Sequence, residues 1–374
     1  MGYEFIEGNE AIARAAVKAG CDFFAGYPIT PASSILHHMN ARLPALGGTV
    51  IQAEDEIASM GMCLGAAMAG RKVMTATSGP GLSLYSENIG LGIMGETPMV
   101  IVNIQRQGPA TGSATKGAEG DVQFTRWVTS GGLPIIALSP ATAAEAYELT
   151  YHAFNLAERY RVPVFLMASK EVGVTMESVD LEAIDLPPLV ERHKFGPDEP
   201  ILPHGFDDPA EVPKMADFGG GRVVRYTTST HDQAASLTTK SEVIQQLIDH
   251  YCAKIDADAD KMALVKRDFQ EGADTLIVSY GITSRSTAVA VAEARARGRK
   301  VSSLTLQTLW PVPQAAIREA LRGVTRVVVP EMNMGQYNLE VERLAPDGVQ
   351  VVSVAKMNTK LVTPDEITEG GGLR

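Results

Sequence analysis

The chain is short of positive charge. Lysine and arginine number 33 against 44 aspartate and glutamate, a formal net charge of −11. That disfavours a nucleic-acid partner, because phosphate binding needs clustered cations. The charge reads instead as solubility or as complementarity to a basic partner. Cysteine is also scarce: Cys21, Cys63 and Cys252 form no CxxC pair and no metal-like spacing. The chain is therefore expected to hold no metal of its own. Three scattered thiols also build no disulfide framework, which fits a reducing cytosol. No run of about 20 apolar residues exists to cross a membrane. Glu4, Glu7 and Glu10 precede any long apolar run, which excludes a signal peptide. The glycine-rich segment Thr75–Gly81 follows a strand but is not GxGxxG and lacks the lysine of a phosphate-binding P-loop, so nucleotide binding is weakly supported. The histidines (His37, His38, His152, His193, His204, His231 and His250) are scattered and suggest no nucleophilic triad. His231-Asp232 falls in an irregular stretch and is expected in a contact loop.

What is present is a globular composition. Hydrophobic residues make up 45% and charged residues 21% of 374, enough for two or three domains. Helical and strand patterns alternate from Gly8 to about Ser178. The spacing predicts helices over 8–20, 33–42, 54–69 and 141–159. Strands are expected over 21–25, 49–52, 72–77, 99–104, 134–138 and 162–168. Ser78-Gly79-Pro80-Gly81 reads as a loop. Residues 181–235 are proline-rich and irregular, and long connections of this kind are often functional or contact partners. Residues 241–270 read as one or two helices, and a second α/β unit begins near Asp274. The expected organisation is α/β with two parallel-sheet domains, at 1–180 and 266–374, separated by a connection at 181–265.

Four segments carry candidate chemistry, each with a plain structural alternative. Gly26-Tyr27-Pro28-Ile29-Thr30-Pro31-Ala32-Ser33-Ser34 sets hydroxyls near a helix start, where a carboxylate can bind; a simple N-cap is the alternative. Gln52-Ala53-Glu54-Asp55-Glu56 places acids at the carboxyl end of a strand, where open α/β sheets bind ligands. The same acids could merely complement a helix dipole. Thr75–Gly81 is a glycine-rich segment after a strand, or only a turn. Asn103–Gly112 sets Arg106 at the end of a buried strand, where its charge needs an anion. That anion is either a ligand carboxylate or a structural partner among Glu54, Asp55 and Asp121.

Taken in order, GNEAIARAAVKAG, GYPITPASSI, QAEDEIASMG, TATSGPGLSL and NIQRQGPATG closely resemble the alpha subunit of 2-oxo acid:ferredoxin oxidoreductases. Members acting on 2-oxoglutarate look most similar. Leu309-Trp310-Pro311-Val312-Pro313 and Pro330–Gln336 resemble the same family, while the connection matches it poorly. The resemblance implies a pyrimidine-binding domain for thiamine diphosphate, followed by a domain like the C-terminal one of transketolase. The Asp-containing magnesium-diphosphate motif of thiamine enzymes is missing here. Glu119-Gly120-Asp121 and Asp347-Gly348 lack its form. The resemblance therefore places Mg2+, the diphosphate site and a [4Fe-4S] cluster in a partner beta subunit, and a gamma subunit is also implied.

By the same resemblance Glu54 is the catalytic glutamate that hydrogen-bonds N1′ of the cofactor aminopyrimidine. Thr30 and Arg106 bind the substrate carboxylate. Tyr27, Pro28, Ile29, Thr77 and Ser78 lie against the cofactor. The implied reaction is CoA-dependent oxidative decarboxylation of a 2-oxo acid, with electrons passed to ferredoxin. One departure bears on the substrate. Where 2-oxoglutarate-using members often carry Thr-His-Gly-Asp after a tryptophan, this chain has Thr129-Ser130-Gly131-Gly132 after Trp127-Val128. A branched-chain or aromatic oxo acid such as phenylglyoxylate is the alternative substrate. A non-catalytic scaffold is the alternative of another class, and a nicotinamide dehydrogenase is disfavoured because the glycine-rich segment after the strand at 72–77 is not GxGxxG.

Overall fold

A computed structural model describes residues 2–373. Its largest sheet has seven strands in the order Thr308–Trp310, Ile136–Leu138, Pro163–Ser169, Met99–Gln105, Val73–Thr77, Phe23–Gly26, Thr49–Gln52. Six run parallel, and Thr308–Trp310 pairs antiparallel with Ile136–Leu138. Every residue of Met99–Gln105 and of Pro163–Ser169 is buried. Strands so fully buried and largely apolar belong in a parallel sheet covered on both faces. Helices Gly8–Lys18 and Ala143–Tyr160 pack together, as do Glu56–Met68 and Gly79–Met94.

The second sheet has five strands, ordered Gln350–Ala355, Arg326–Glu331, Thr275–Tyr280, Val301–Leu306, Val265–Asp268. Only Val265–Asp268 is antiparallel. This strand lies where a helix was expected over 241–270. Three of its four residues are exposed charges, so at a sheet edge it carries none of the apolar alternation that marks a strand. A third, two-stranded sheet pairs Glu4–Glu7 with Met176–Val179 and ties the N-terminal segment to the end of the first α/β unit. The α/β expectation holds, with parallel-rich sheets that turn antiparallel at two edges.

The first sheet reverses its strand order between Phe23–Gly26 and Val73–Thr77, since Thr49–Gln52 lies outside the former and later strands lie beyond the latter. Loops leaving the carboxyl ends there form the crevice in which open α/β sheets bind ligands. The expected loop at Ser78–Gly81 is instead the start of helix Gly79–Met94, with Pro80 in its first turn. Proline is tolerated there because the first N–H groups have no intrahelical partner.

The connection has little regular structure between Ala183 and Ser241, yet buried ions pin it down. Arg161, left-handed at φ 47°, donates to the carbonyls of Glu96, Pro203, Pro213 and Lys214. Arg192 pairs with Glu158 at 2.8 Å and donates to the carbonyls of Ala67 and Arg71. His231, expected in a contact loop, is fully buried, with Nε2 3.5 Å from the Tyr251 hydroxyl.

Candidate functional site

The acids after Gln52 divide into three roles. Asp55 is the cap of helix Glu56–Met68, its carboxylate accepting from the Ala58 N–H at 2.7 Å. Glu54, one residue earlier, is exposed. Glu56 opens the helix and is 7% exposed. The enclosed carboxylate at this edge is therefore Glu56, whereas Glu54, expected to be the catalytic glutamate, faces outward. The cap fixes the helix axis, and the first helical residue then turns inward while the residue before the cap faces out. Among the described residues the Glu56 carboxylate accepts no hydrogen bond from this chain.

Glycines shape the space before Glu56. A Cβ on Gly81 would lie 2.0 Å from the Thr77 hydroxyl oxygen and 2.7 Å from Glu56 Cγ. A Cβ on Gly79 would meet the Asp121 carboxylate at 3.0 Å. Only glycine lets the helix start approach so closely. Thr77 and Ser78 are fully buried, and Ser78 Oγ has no hydrogen-bond partner among the described residues.

The next strand delivers Arg106. Its guanidinium donates to the Thr30 carbonyl at 2.6 Å and to the Thr111 carbonyl at 3.2 Å, while its Nε has no partner. No carboxylate forms an ion pair with it among the described residues. Burial lowers its pKa, against the charges of Asp121 and Glu56. Burial raises the Asp121 carboxyl, countered by the Asn103 hydrogen bond and by Arg106. Asn103 Oδ1, Gln105 Nε2 and Gln107 Oε1 are further buried atoms without partners on the same strand end. Thr30 and Tyr27 are exposed, and Pro28 and Ile29 are partly buried. The structure thus brings Thr30, Arg106, Thr77 and Ser78 to one crevice and adds Glu56, Asp121, Gly79 and Gly81.

Thr129-Ser130-Gly131-Gly132 lies elsewhere. A Cβ on Gly90 would sit 2.8 Å from the Thr129 hydroxyl oxygen. Gly90 is about 16 Å along its helix from the Gly79 end.

Exposed apolar side chains include Tyr27 on the loop after Phe23–Gly26, Ile57 beside Glu56, Leu84 in helix Gly79–Met94, and Phe124 and Trp127. Arg126 stacks on the Trp127 ring at 4.1 Å. Exposed apolar patches mark interaction surfaces.

Comparison with known proteins gives a consistent picture. Residues 14–250 match the family described as pyruvate flavodoxin/ferredoxin oxidoreductase, thiamine diP-binding. Residues 273–367 match pyruvate:ferredoxin oxidoreductase core domain II. The first match runs through the connection, which had been expected to match poorly. The chain is 42% identical over 369 residues to 2-oxoglutarate synthase subunit KorA of Methanothermobacter thermautotrophicus, covering 97% of this chain and 96% of that one. It is 32% identical over 362 residues to ketoisovalerate oxidoreductase subunit VorB of Methanothermobacter marburgensis, covering 97% and 95%. Among solved structures, 2-oxoglutarate:ferredoxin oxidoreductase from Magnetococcus marinus, with 2-oxoglutarate, coenzyme A and succinyl-CoA bound, superposes with a TM-score of 0.92 at 28% identity. That likeness covers 98% of this chain and 64% of the other, so this chain spans under two thirds of it.

Proposed function

Because the chain belongs to the pyruvate flavodoxin/ferredoxin oxidoreductase family, with its thiamine diphosphate-binding region and core domain II, we propose that it is the thiamine-activating subunit of a 2-oxoglutarate:ferredoxin oxidoreductase. The observation that carries this reading is the mostly enclosed Glu56 carboxylate, with no hydrogen bond from the described residues, facing the Gly79–Gly81 helix start, with Arg106 one strand away. Identity to the 2-oxoglutarate relative exceeds identity to the ketoisovalerate one. Thr129 packs against Gly90, well along the helix from its Gly79 start, and Gly132 against Trp127, so the panel of 2-oxo acids is what tests the Thr129–Gly132 departure.

The residues fit the cofactor. Glu56 offers an acceptor to a ring N–H, Ser78 a free hydroxyl, and the glycines a backbone that a flat ring can approach. Glu56, Thr77 and Ser78, with Tyr27, Pro28 and Ile29 on the adjoining loop, would hold the aminopyrimidine. Thiamine diphosphate, when bound, supplies the electron sink for breaking the bond between the carboxyl and carbonyl carbons. Glu56 holds the proton at N1′ of the ring. Arg106 and Thr30 orient the substrate carboxylate, which fixes the geometry of the reacting carbons.

We place the diphosphate, Mg2+ and the [4Fe-4S] cluster in a partner beta subunit seated on the exposed apolar side chains, with a gamma subunit, coenzyme A and ferredoxin completing the reaction in the cytoplasm. Cys63 supports this division, since burial pushes its thiol up to about 12, and a thiol so raised is a poor metal ligand.

The test is acceptor reduction by the complex purified through this chain, with coenzyme A, a viologen and a panel of 2-oxo acids. Fast reduction with 2-oxoglutarate is expected. Preference for a branched or aromatic oxo acid would move the substrate, and reduction with none would overturn the reading.

A further inference from the structure

Strands Met99–Gln105 and Pro163–Ser169 are in register, with Gln105 opposite Ser169. The residues that follow them, Arg106 and Lys170, therefore leave the carboxyl edge side by side. Arg106 turns to the Thr30 carbonyl. Lys170, three-quarters buried, lines an open cavity of about 360 Å³ together with Thr30, Pro31, Ser33, Ser34 and Thr115. Thr30 thus belongs both to the arginine's surroundings and to the lysine's cavity. An arginine and a lysine on either side of one threonine suit a ligand with two negative ends.

Of the two nearby acids Glu7 is already engaged, whereas Glu171 Oε2 has no hydrogen-bond partner among the described residues. Glu7 also lines the cavity, and it bonds His38 and Ser34. Those contacts hold its carboxyl below the usual carboxylate range despite burial. Glu171 is the neighbouring residue to Lys170, and their 3.5 Å separation is long for a charge-assisted hydrogen bond. The ammonium keeps donors to offer, because a lysine carries three.

We propose that Lys170 is the specificity-determining residue for the distal carboxylate of a dicarboxylic 2-oxo acid, with Thr115 and Ser33 completing that end of the cavity. This rests on the reading of Thr30 and Arg106 as the site of the substrate's other carboxylate. It gives the choice of 2-oxoglutarate over monocarboxylic oxo acids a physical basis in this chain. A site that hydrogen-bonds a substrate carboxylate rejects an isostere lacking it, because the donors aimed at that end lose their partner.

The experiment compares 2-oxoglutarate with 2-oxopentanoate, which has the same chain length without the distal carboxylate. Both are run on the intact complex carrying wild-type chain, Lys170→Met or Lys170→Arg. Lys170→Met is expected to lower kcat/KM for 2-oxoglutarate by about 10- to 100-fold, the weight of a hydrogen bond to a charged group, mainly through KM. Turnover of 2-oxopentanoate should hold or rise, and Lys170→Arg should keep most of the preference. An unchanged selectivity ratio in Lys170→Met overturns the proposal, as does an equal loss on both substrates. A wild-type complex that turns over only monocarboxylic oxo acids overturns it while leaving the enzyme class intact. A complex inactive on every oxo acid defeats the broader functional reading as well, so the two failures are distinguishable.

Discussion

Glu56 and Glu96 are both buried carboxylates of the first α/β unit, and their surroundings differ in kind. Around Glu96 each oxygen has a donor. Lys254 approaches one at 2.6 Å and His250 the same one at 2.9 Å, while His204 meets the other at 2.7 Å. Burial opposes its ionisation, yet the Lys254 charge and the two histidine bonds hold its pKa well below the usual carboxylate value. Phe206 stacks on His250 at 4.2 Å and closes the cluster. Around Glu56 the chain supplies no donor, and unpartnered atoms continue through Ser78, Asn103, Gln105 and Arg106. The Glu96 carboxylate is fully partnered and ties the irregular connection to the first unit through His204. The Glu56 edge is incomplete, as a binding site must be before its ligand arrives.

Substitution should separate these two kinds of burial. The largest expected effect is at Glu56. Glu56→Gln should lower kcat of the assembled complex by about 10²- to 10⁴-fold, the range for a lost proton-handling group. Glu54→Gln should stay near wild type. If Glu54→Gln is the damaging change, the exposed acid acts through the partner subunit and the assignment to Glu56 fails. Glu96→Ala should act on stability instead. It strands Lys254 in the interior, and breaking such a buried pair costs about 3–5 kcal/mol. Denaturant unfolding of the purified chain would read this loss. A change no larger than that of an exposed pair would erase the contrast.

Arg106→Ala comes next. It should raise KM for the oxo acid by about 10- to 100-fold with a smaller change in kcat, as expected for a lost charged hydrogen bond in binding. Steady-state kinetics on the complex decide this, and an unchanged KM would remove Arg106 from the substrate site.

The smallest effect concerns Glu119, which accepts from the Ile282 N–H where the two α/β units meet. Burial, helped by the charges of Glu171 and Glu331, pushes its carboxyl up to about 8, against the Ile282 bond. A folded-state pKa above the unfolded value means that the folded chain binds more protons between them. Stability therefore falls as pH rises from about 4.5 through about 8. Glu119→Gln should remove that slope, so the variant gains on wild type across this window in urea midpoints. Parallel curves would refute the shift.

Much of the fold was legible in the sequence. Ser33–Arg42 and Thr49–Gln52 have the bounds that periodicity predicts. The short antiparallel pieces were not legible. Glu4–Glu7 and Met176–Val179 each bury only one residue fully and carry no apolar run, and their pairing is set by contacts far apart in the chain. The crevice was located from its loops, yet three adjacent acids cannot be told apart by composition. Which one faces inward depends on the cap, and the cap depends on the Asp55 to Ala58 bond. The histidines looked scattered because their meeting point is tertiary: His204, His231 and His250 come from well-separated positions to the region of Glu96.

Thr308–Trp310 adds a final consequence. This strand belongs by chain order to the second α/β unit and by hydrogen bonding to the first sheet, where it covers Ile136–Leu138. The Trp310 ring N–H also donates to the Val122 carbonyl. The two units are therefore stitched rather than merely docked, and they cannot be produced as independent cartridges. A chain cut after residue 265 would leave Ile136–Leu138 as a bare sheet edge, open to pairing with its own copies and so to aggregation.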